Sequence, residues 1–219
     1  MPLQFTFDGG LALRTPVSQP DCDAVLESCL PQYREEAARL GCASTVDETV
    51  RRIAFAILSV HSNFNATVRA WQHLDGVSLA DWPAVYQTLR RTPLVQYPMV
   101  KTRALARLHA QVYDDGECLL PDGDDLEYRD YMRRNVWGLA WSKASFAVML
   151  VKGQADVCCI DTHMHRLFTG KVGKGIGKRL YLDLEGRVRQ LAERHEAPTS
   201  VVQHCLWDAM RGVRSPLLP

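Results

Sequence analysis

The chain has 219 residues, 47% of them hydrophobic and 23% charged, with a formal net charge of +1. That composition suits a packed globular protein of one large or two small domains and excludes a disordered chain. No apolar run approaches the roughly 20 residues that span a bilayer, and "MPLQFTFDGG" has neither the charged start nor the apolar stretch of a signal peptide. A cytoplasmic protein with no membrane attachment is expected, its seven cysteines reduced.

Taken in chain order, "FTFDGGLAL" alternates around an Asp-Gly-Gly turn and reads as a short hairpin or extended arm. "DCDAVLESCLPQYREEAARLG" has a helix start at Pro20-Asp21 and a stop at Gly41, with Pro31 expected to kink or divide it. "TVDETVRRIAFAILSV" opens with Thr45 and Glu48 at capping-box spacing and sets Val46, Val50, Ile53, Ile57 and Leu58 near one face, which predicts a central helix. Further helices are predicted over 63–74, 82–91, 98–113, 123–137, 143–152, 162–169, 178–194 and 199–211. The class is all-α, with about ten helices.

Charge divides unevenly along this series. Residues 1–130 carry 12 Lys and Arg against 18 Asp and Glu, whereas 131–219 carry 14 against 7. The C-terminal part is therefore the expected surface for a polyanion. It also holds the two stretches that carry chemistry, "WGLAWSKASFAVMLV" and "DVCCIDTHMHRLFTG". The first reads as helix end, tight turn opened by Gly138, and a new helix beginning near Lys143. Such a hairpin aims backbone N–H groups and a helix N-terminus at phosphate, which makes Gly138, Ala140, Trp141 and Ser142 candidate DNA contacts. The second sets Asp161 just ahead of a helix, where N-capping is its plain structural role.

Helix, "GLxxxK", helix, apolar run and "xIDTHxxR" together resemble the core of the helix-hairpin-helix DNA glycosylase superfamily, the endonuclease III-like enzymes. The resemblance implies a two-lobed fold with an interdomain cleft, across which the hairpin lysine and the aspartate of the "DTH" segment face one another. Lys143 and Asp161, 18 residues apart in this chain, occupy those positions and are the expected catalytic pair. A central helical domain over 45–155, holding the hairpin, and a second lobe formed by 1–44 with 156–219 follow from the same likeness. The chain departs from the usual pattern at three places. Ala140 replaces the second hairpin glycine, with Ser142 as an extra residue before the lysine. "SVHSNFN" stands where repair enzymes carry a Ser-Gln-Gln-like segment, and the cysteine cluster that holds iron and sulfur in some members is missing.

The altered hairpin is more similar to a glycosylase-fold group of bacteriophages associated with thymine hypermodification. That likeness implies transfer of an amino acid or other amine onto a phosphorylated 5-hydroxymethyluracil in DNA, in the host cytoplasm. Base excision, with or without lyase activity at the abasic site, is the alternative, and a DNA-binding module without chemistry is the third reading. In excision Lys143 attacks the sugar C1′ as a neutral amine; in transfer it stays charged and guides a phosphate away while Asp161 acts as general base. Either reaction needs the nucleotide out of the stack.

The family places pocket residues in the segment that here contains Ser59, His61, Asn63 and Asn65, so these are candidate substrate contacts, as is His163; a polar turn is the plain alternative. Lys171, Lys174 and Lys178 in "GKVGKGIGKR" are candidate DNA-backbone contacts, or part of a connector. Trp137 and Trp141 are either wedges into DNA or core. His163 and His165 lie two apart with Cys158 and Cys159 near, but no metal-ligand spacing is present, so neither a metal nor a cofactor is expected. The expected partners are DNA and, for transfer, a small amine donor, with the protein a monomer.

Overall fold

The computed structural model describes residues 22–171 and 175–218. The arm expected over 5–13, together with Lys174, lies outside them. The described residues form ten α-helices and one π-helical turn, with no strand among them. None of these helices is long and apolar enough to cross a membrane. The chain divides into two compact units, one of 22–41 with Lys152–Leu218 and one of Cys42–Val151.

In the unit Cys42–Val151, helix α2 (Val46–Leu58) starts where the capping residues put it. The Thr45 hydroxyl accepts from the Glu48 amide, and the Glu48 carboxylate reaches back to the Ser44 amide. Its inward face holds Ile53, Phe55, Ile57 and Leu58, all buried. Phe55 is the centre of an aromatic group with Phe64, Trp71 and Phe146, at ring separations of 6.2, 5.8 and 6.2 Å, so helices α2, α3 (Phe64–His73) and α7 (Trp141–Lys152) share one core. Arg52 is buried beside them. Its guanidinium donates to the carbonyls of Leu150 and Val151, at 2.7 and 3.3 Å, at the end of α7, where the Val151 carbonyl also accepts the Ala43 amide.

Helix α4 (Trp82–Arg91) is capped by Asp81 and leads to α5 (Pro98–His109). The helix predicted through 113 stops short as an α-helix. It runs into a π-turn, Ala110–Asp114, closed by the Asp115 amide on the Ala110 carbonyl at 2.9 Å. The wider turn brings the Tyr113 ring onto His109, 4.6 Å away, and its hydroxyl to Asp47.

The hairpin follows. Asp124 caps α6 (Asp125–Asn135) by accepting from the Leu126 and Glu127 amides. That helix ends two residues earlier than predicted, because Gly138 takes φ +93° and turns the chain. Helix α7 then begins at Trp141, two residues earlier than predicted.

In the other unit, α1 (Cys22–Leu40) packs along α10 (Thr199–Arg211). The break expected at Pro31 does not occur, and α1 is one helix. Pro31 lies on its exposed face, as does Glu27, whose carbonyl the proline leaves without a donor and water can reach. The opposite face buries Val25, Leu26, Cys29, Leu30, Tyr33 and Ala37, and that burial holds the helix through the proline. Helices α8 (Thr162–Thr169), α9 (Lys178–Arg194) and α10 have the predicted bounds. All seven cysteines are free.

Candidate active site

Lys143 is the third residue of α7, half-buried, in the first turn after the hairpin. The Ala144 amide closes that turn on the Ala140 carbonyl at 2.8 Å. Ala140 is exposed, at the point where the hairpin turns into the first turn of α7. The ammonium lies 5.4 Å from the Phe146 ring centroid and, among the described residues, makes no hydrogen bond or ion pair. Phe146 in turn rests on Phe55, so the base of the lysine stands on the core.

The two tryptophans of the hairpin each carry arginines. Arg129 and Arg133 lie 5.0 and 4.6 Å from the Trp141 ring, and Arg107 lies 4.8 Å from that of Trp137. Trp137 is exposed. Together with Gly138, Tyr97, His61 and Lys101 it lines a cavity of ≈ 250 Å³. The structure thus brings Gly138 of the hairpin and His61 of the "SVHSNFN" segment to one recess. His61 and Tyr97 both have positive φ, 51° and 53°, and their rings meet edge to face at 5.6 Å.

Lys101 is what shapes this recess, and sequence reasoning missed it. Only 3% exposed, its ammonium donates to the Leu58 and Val60 carbonyls and the Ser62 hydroxyl, at 2.6, 2.7 and 2.7 Å. Burial, with the charge of Lys143 adding to it, pushes Lys101 down to about 8. One signal was available: Lys101 shares the inward face of α5 with Ala104, Leu105 and Leu108 at helical spacing.

The remaining residues of that segment turn to local tasks. The Ser59 hydroxyl donates to the Ala56 carbonyl at 2.7 Å, and the Asn63 side chain caps α3 through the Ala66 amide at 2.8 Å. Asn65 is exposed on α3.

Asp161 stands in the unit of 22–41 and Lys152–Leu218. The run before it is pinned by α9: the Cys158 amide donates to Glu185 at 3.1 Å, and its carbonyl accepts the Tyr181 hydroxyl. Asp161 is the N-cap of α8, one carboxylate oxygen accepting from the His163 and Met164 amides at 2.9 and 3.0 Å. The other oxygen accepts the indole N–H of Trp207 at 2.7 Å. A carboxylate oxygen has room for a second donor, so this second oxygen keeps acceptor capacity for a reacting group.

His163 sets its ring edge to face against Trp207, 6.2 Å apart. His165 is buried on the other side of α8 beside Thr169. The H-x-H pair therefore diverges, and among the described residues no group of His, Cys, Asp and Glu is placed to hold a metal ion. Lys171 and Lys178 are both exposed, Lys178 opening α9.

Behind Trp207 lies a buried polar cluster. Asp208, with no exposed surface, accepts from the Tyr33 hydroxyl at 2.9 Å and the Ser215 amide at 2.7 Å, with Arg211 3.4 Å away. Burial pushes Asp208 up to about 7 against the pull of these donors.

Comparison with known proteins adds the family. A family model described as 8-oxoguanine DNA glycosylase matches residues 32–197, more than half of the chain. The chain is 24% identical over 191 residues to the 8-oxoguanine DNA glycosylase/AP lyase of Thermotoga petrophila, covering 83% of this chain and 88% of that one. It is 22% identical over 176 residues to the protein of the same description from Fusobacterium nucleatum, covering 74% and 79%. Among solved structures, the 8-oxoguanine DNA glycosylase of Thermotoga maritima superposes with a TM-score of 0.73 at 22% identity, over 89% of this chain and 96% of that one. The 8-oxoguanine glycosylase/lyase of Methanocaldococcus jannaschii, solved with a 15mer DNA containing 8-oxoguanine, gives 0.72 at 16% identity over 87% and 95%. These relatives favour base excision over amine transfer and bring no support for the phage group. The helical fold, the hairpin and the matched model agree: the chain belongs to the 8-oxoguanine DNA glycosylase family of the helix-hairpin-helix superfamily.

Proposed function

We propose that this protein excises an oxidised purine of the 8-oxoguanine kind from DNA, with Lys143 as nucleophile and Asp161 as the assisting carboxylate, and that it then cleaves the strand as a lyase. The observation that carries this reading is Lys143 itself. It is an amine on a rigid helix, half-buried, and among the described residues no acceptor engages it. A lysine kept for an ion pair would have a carboxylate partner.

In this reading the nucleotide leaves the stack. The neutral Lys143 amine forms a bond to C1′ as the bond from C1′ to the base breaks, and the departing base takes up a proton. Asp161, held as an anion acceptor by its three donors, stabilises the positive charge that develops on the sugar and takes the proton that the attacking amine loses. Opening of the sugar ring gives a Schiff base to Lys143, and loss of a C2′ proton then expels the 3′ phosphate. The leading amides of α7, with Gly138, Ala140, Trp141 and Ser142, are proposed to hold backbone phosphate. Lys171 and Lys178 are proposed to extend the contact, and the exposed Trp137 and Tyr97 offer faces to unstacked bases.

The test is incubation of the protein with duplex DNA containing 8-oxoguanine or guanine, with and without borohydride, followed by analysis of free bases, nucleosides and strands. The expected result is released 8-oxoguanine, a nicked strand and a borohydride-trapped adduct that Lys143→Ala abolishes. An intact glycosidic bond with a heavier nucleoside, formed on hydroxymethyluracil-phosphate DNA when an amino acid is present, would overturn excision in favour of transfer.

A further inference from the structure

We propose that Trp207 is a positioning residue for Asp161, with Arg211, Asp208 and Tyr33 as the fixed support behind it; this rests on the catalytic role just proposed for Asp161. Capping α8 needs one carboxylate oxygen, and one oxygen of Asp161 meets that need by accepting two backbone amides. The second oxygen would remain free to turn about the side-chain bond. It is tied instead by the indole N–H of Trp207, at 2.7 Å, from a different helix and 46 residues further along the chain. That bond adds nothing to the cap and fixes the plane of the carboxylate.

The indole is itself immobilised. The Arg211 guanidinium lies over its ring, 3.9 Å from the centroid, and the His163 and His204 rings lie 6.2 and 6.4 Å away. Arg211 donates to the Ser215 hydroxyl at 2.7 Å and to Asp208 at 3.4 Å. Asp208 is anchored to α1 by the Tyr33 hydroxyl and to the C-terminal turn by the Ser215 amide. From α1 to Asp161, each member is therefore fixed by the one behind it. An indole in need of a mere acceptor is served by any backbone carbonyl; a carboxylate acceptor makes the bond charge-assisted and directional.

Trp207→Phe removes the N–H and keeps the ring beneath Arg211. The expected result is a single-turnover rate of base release that falls about tenfold, the weight of one hydrogen bond to a charged group, with DNA affinity unchanged and a melting temperature lowered by a few degrees at most, about the amount that one lost bond accounts for. A merely structural tryptophan would lower the melting temperature and leave the rate alone. In parallel, the Trp207 indole proton resonance is followed by NMR in the wild-type protein and in Asp161→Ala, and it is expected to move upfield in the variant. A wild-type rate in Trp207→Phe, with Asp161→Asn inactive, overturns the positioning role and leaves the proposed function standing. A wild-type rate in Asp161→Asn overturns both. Should Trp207→Phe fail to fold, the NMR comparison decides alone, and an unmoved indole resonance overturns the proposal.

Discussion

The two units treat their candidate reactive groups in opposite ways. In Cys42–Val151 the Lys143 amine is supported from below by Phe146 and Phe55, and its head engages no acceptor among the described residues. In the unit of 22–41 and Lys152–Leu218 the Asp161 carboxylate is engaged by two amides and an indole. The interiors differ instead in the kind of partner that they give a buried charge. Lys101 is a buried cation met by neutral oxygens, whereas Asp208 is a buried carboxylate met by hydroxyl, amide and guanidinium donors. A nucleophile needs its lone pair uncommitted, whereas an electrostatic partner acts best when it cannot reorient.

The largest expected effect tests the uncommitted side. Lys143→Ala is expected to lower base release at least about a thousandfold while moving unfolding free energy by less than about 0.5 kcal/mol, since no hydrogen bond is lost. A large loss of stability in urea unfolding would show that the amine has a structural task after all. On the committed side, Asp161→Asn and Asp161→Ala are both expected to lose activity, but they separate in stability. Asparagine keeps an oxygen for the His163 and Met164 amides; alanine loses the cap and about 1 kcal/mol more, measurable as a difference between the two urea midpoints.

Two glycines sharpen the contrast in packing. Gly153 has φ +72°, and a Cβ there would stand 2.7 Å from the Gly41 carbonyl oxygen, so Gly153→Ala is expected to cost about 3 kcal/mol in calorimetry. Gly138 has φ +93°, but its nearest neighbour would be the Ala104 methyl at 3.5 Å. Gly138→Ala is expected to cost only about 1 kcal/mol and to act chiefly by tilting the hairpin, seen as weaker DNA binding.

The smallest effects are those of pH. Asp208 is pushed up from 3.8 to about 7, so the folded state binds the additional proton in that interval. This contribution to stability is complete below pH 3.8 and is lost as pH rises through 7. Lys101 is pushed down from 10.5 to about 8, so the cost of its charge is complete below pH 8 and lifts as pH climbs to 10.5. Asp208→Asn is expected to flatten the acid side of a plot of urea midpoint against pH, and Lys101→Met the basic side. If each variant alters the other's interval, the two clusters are coupled.

Much of the helical order is legible in the sequence wherever the stop signal is local. Helices α8, α9 and α10 end where predicted, at Gly170, after Arg194 and at Gly212. The reading failed where long-range packing overrode a local rule. Pro31 sits on a face whose opposite side is buried along α10, and the π-turn at 110–114 answers to Asp47, far back in the sequence. The candidate site divides the same way. Lys143 and Asp161 announce themselves by the motifs around them, and the capping role of Asp161 follows from its place before α8. Trp207 gives no such notice, because its partner lies 46 residues away and an indole donor reads like any core aromatic.

The crossing points of the chain carry a further consequence. The Ala43 amide donates to the Val151 carbonyl at 2.7 Å, and Gly41 and Gly153 touch backbone to backbone. Cys42–Val151 thus enters and leaves through adjoining residues, in the manner of a cassette inserted into a host. Its ends are near enough to be joined by a short synthetic loop, and those of the host likewise. Two chains closed in this way would carry the hairpin lysine and the capped aspartate on separate polypeptides.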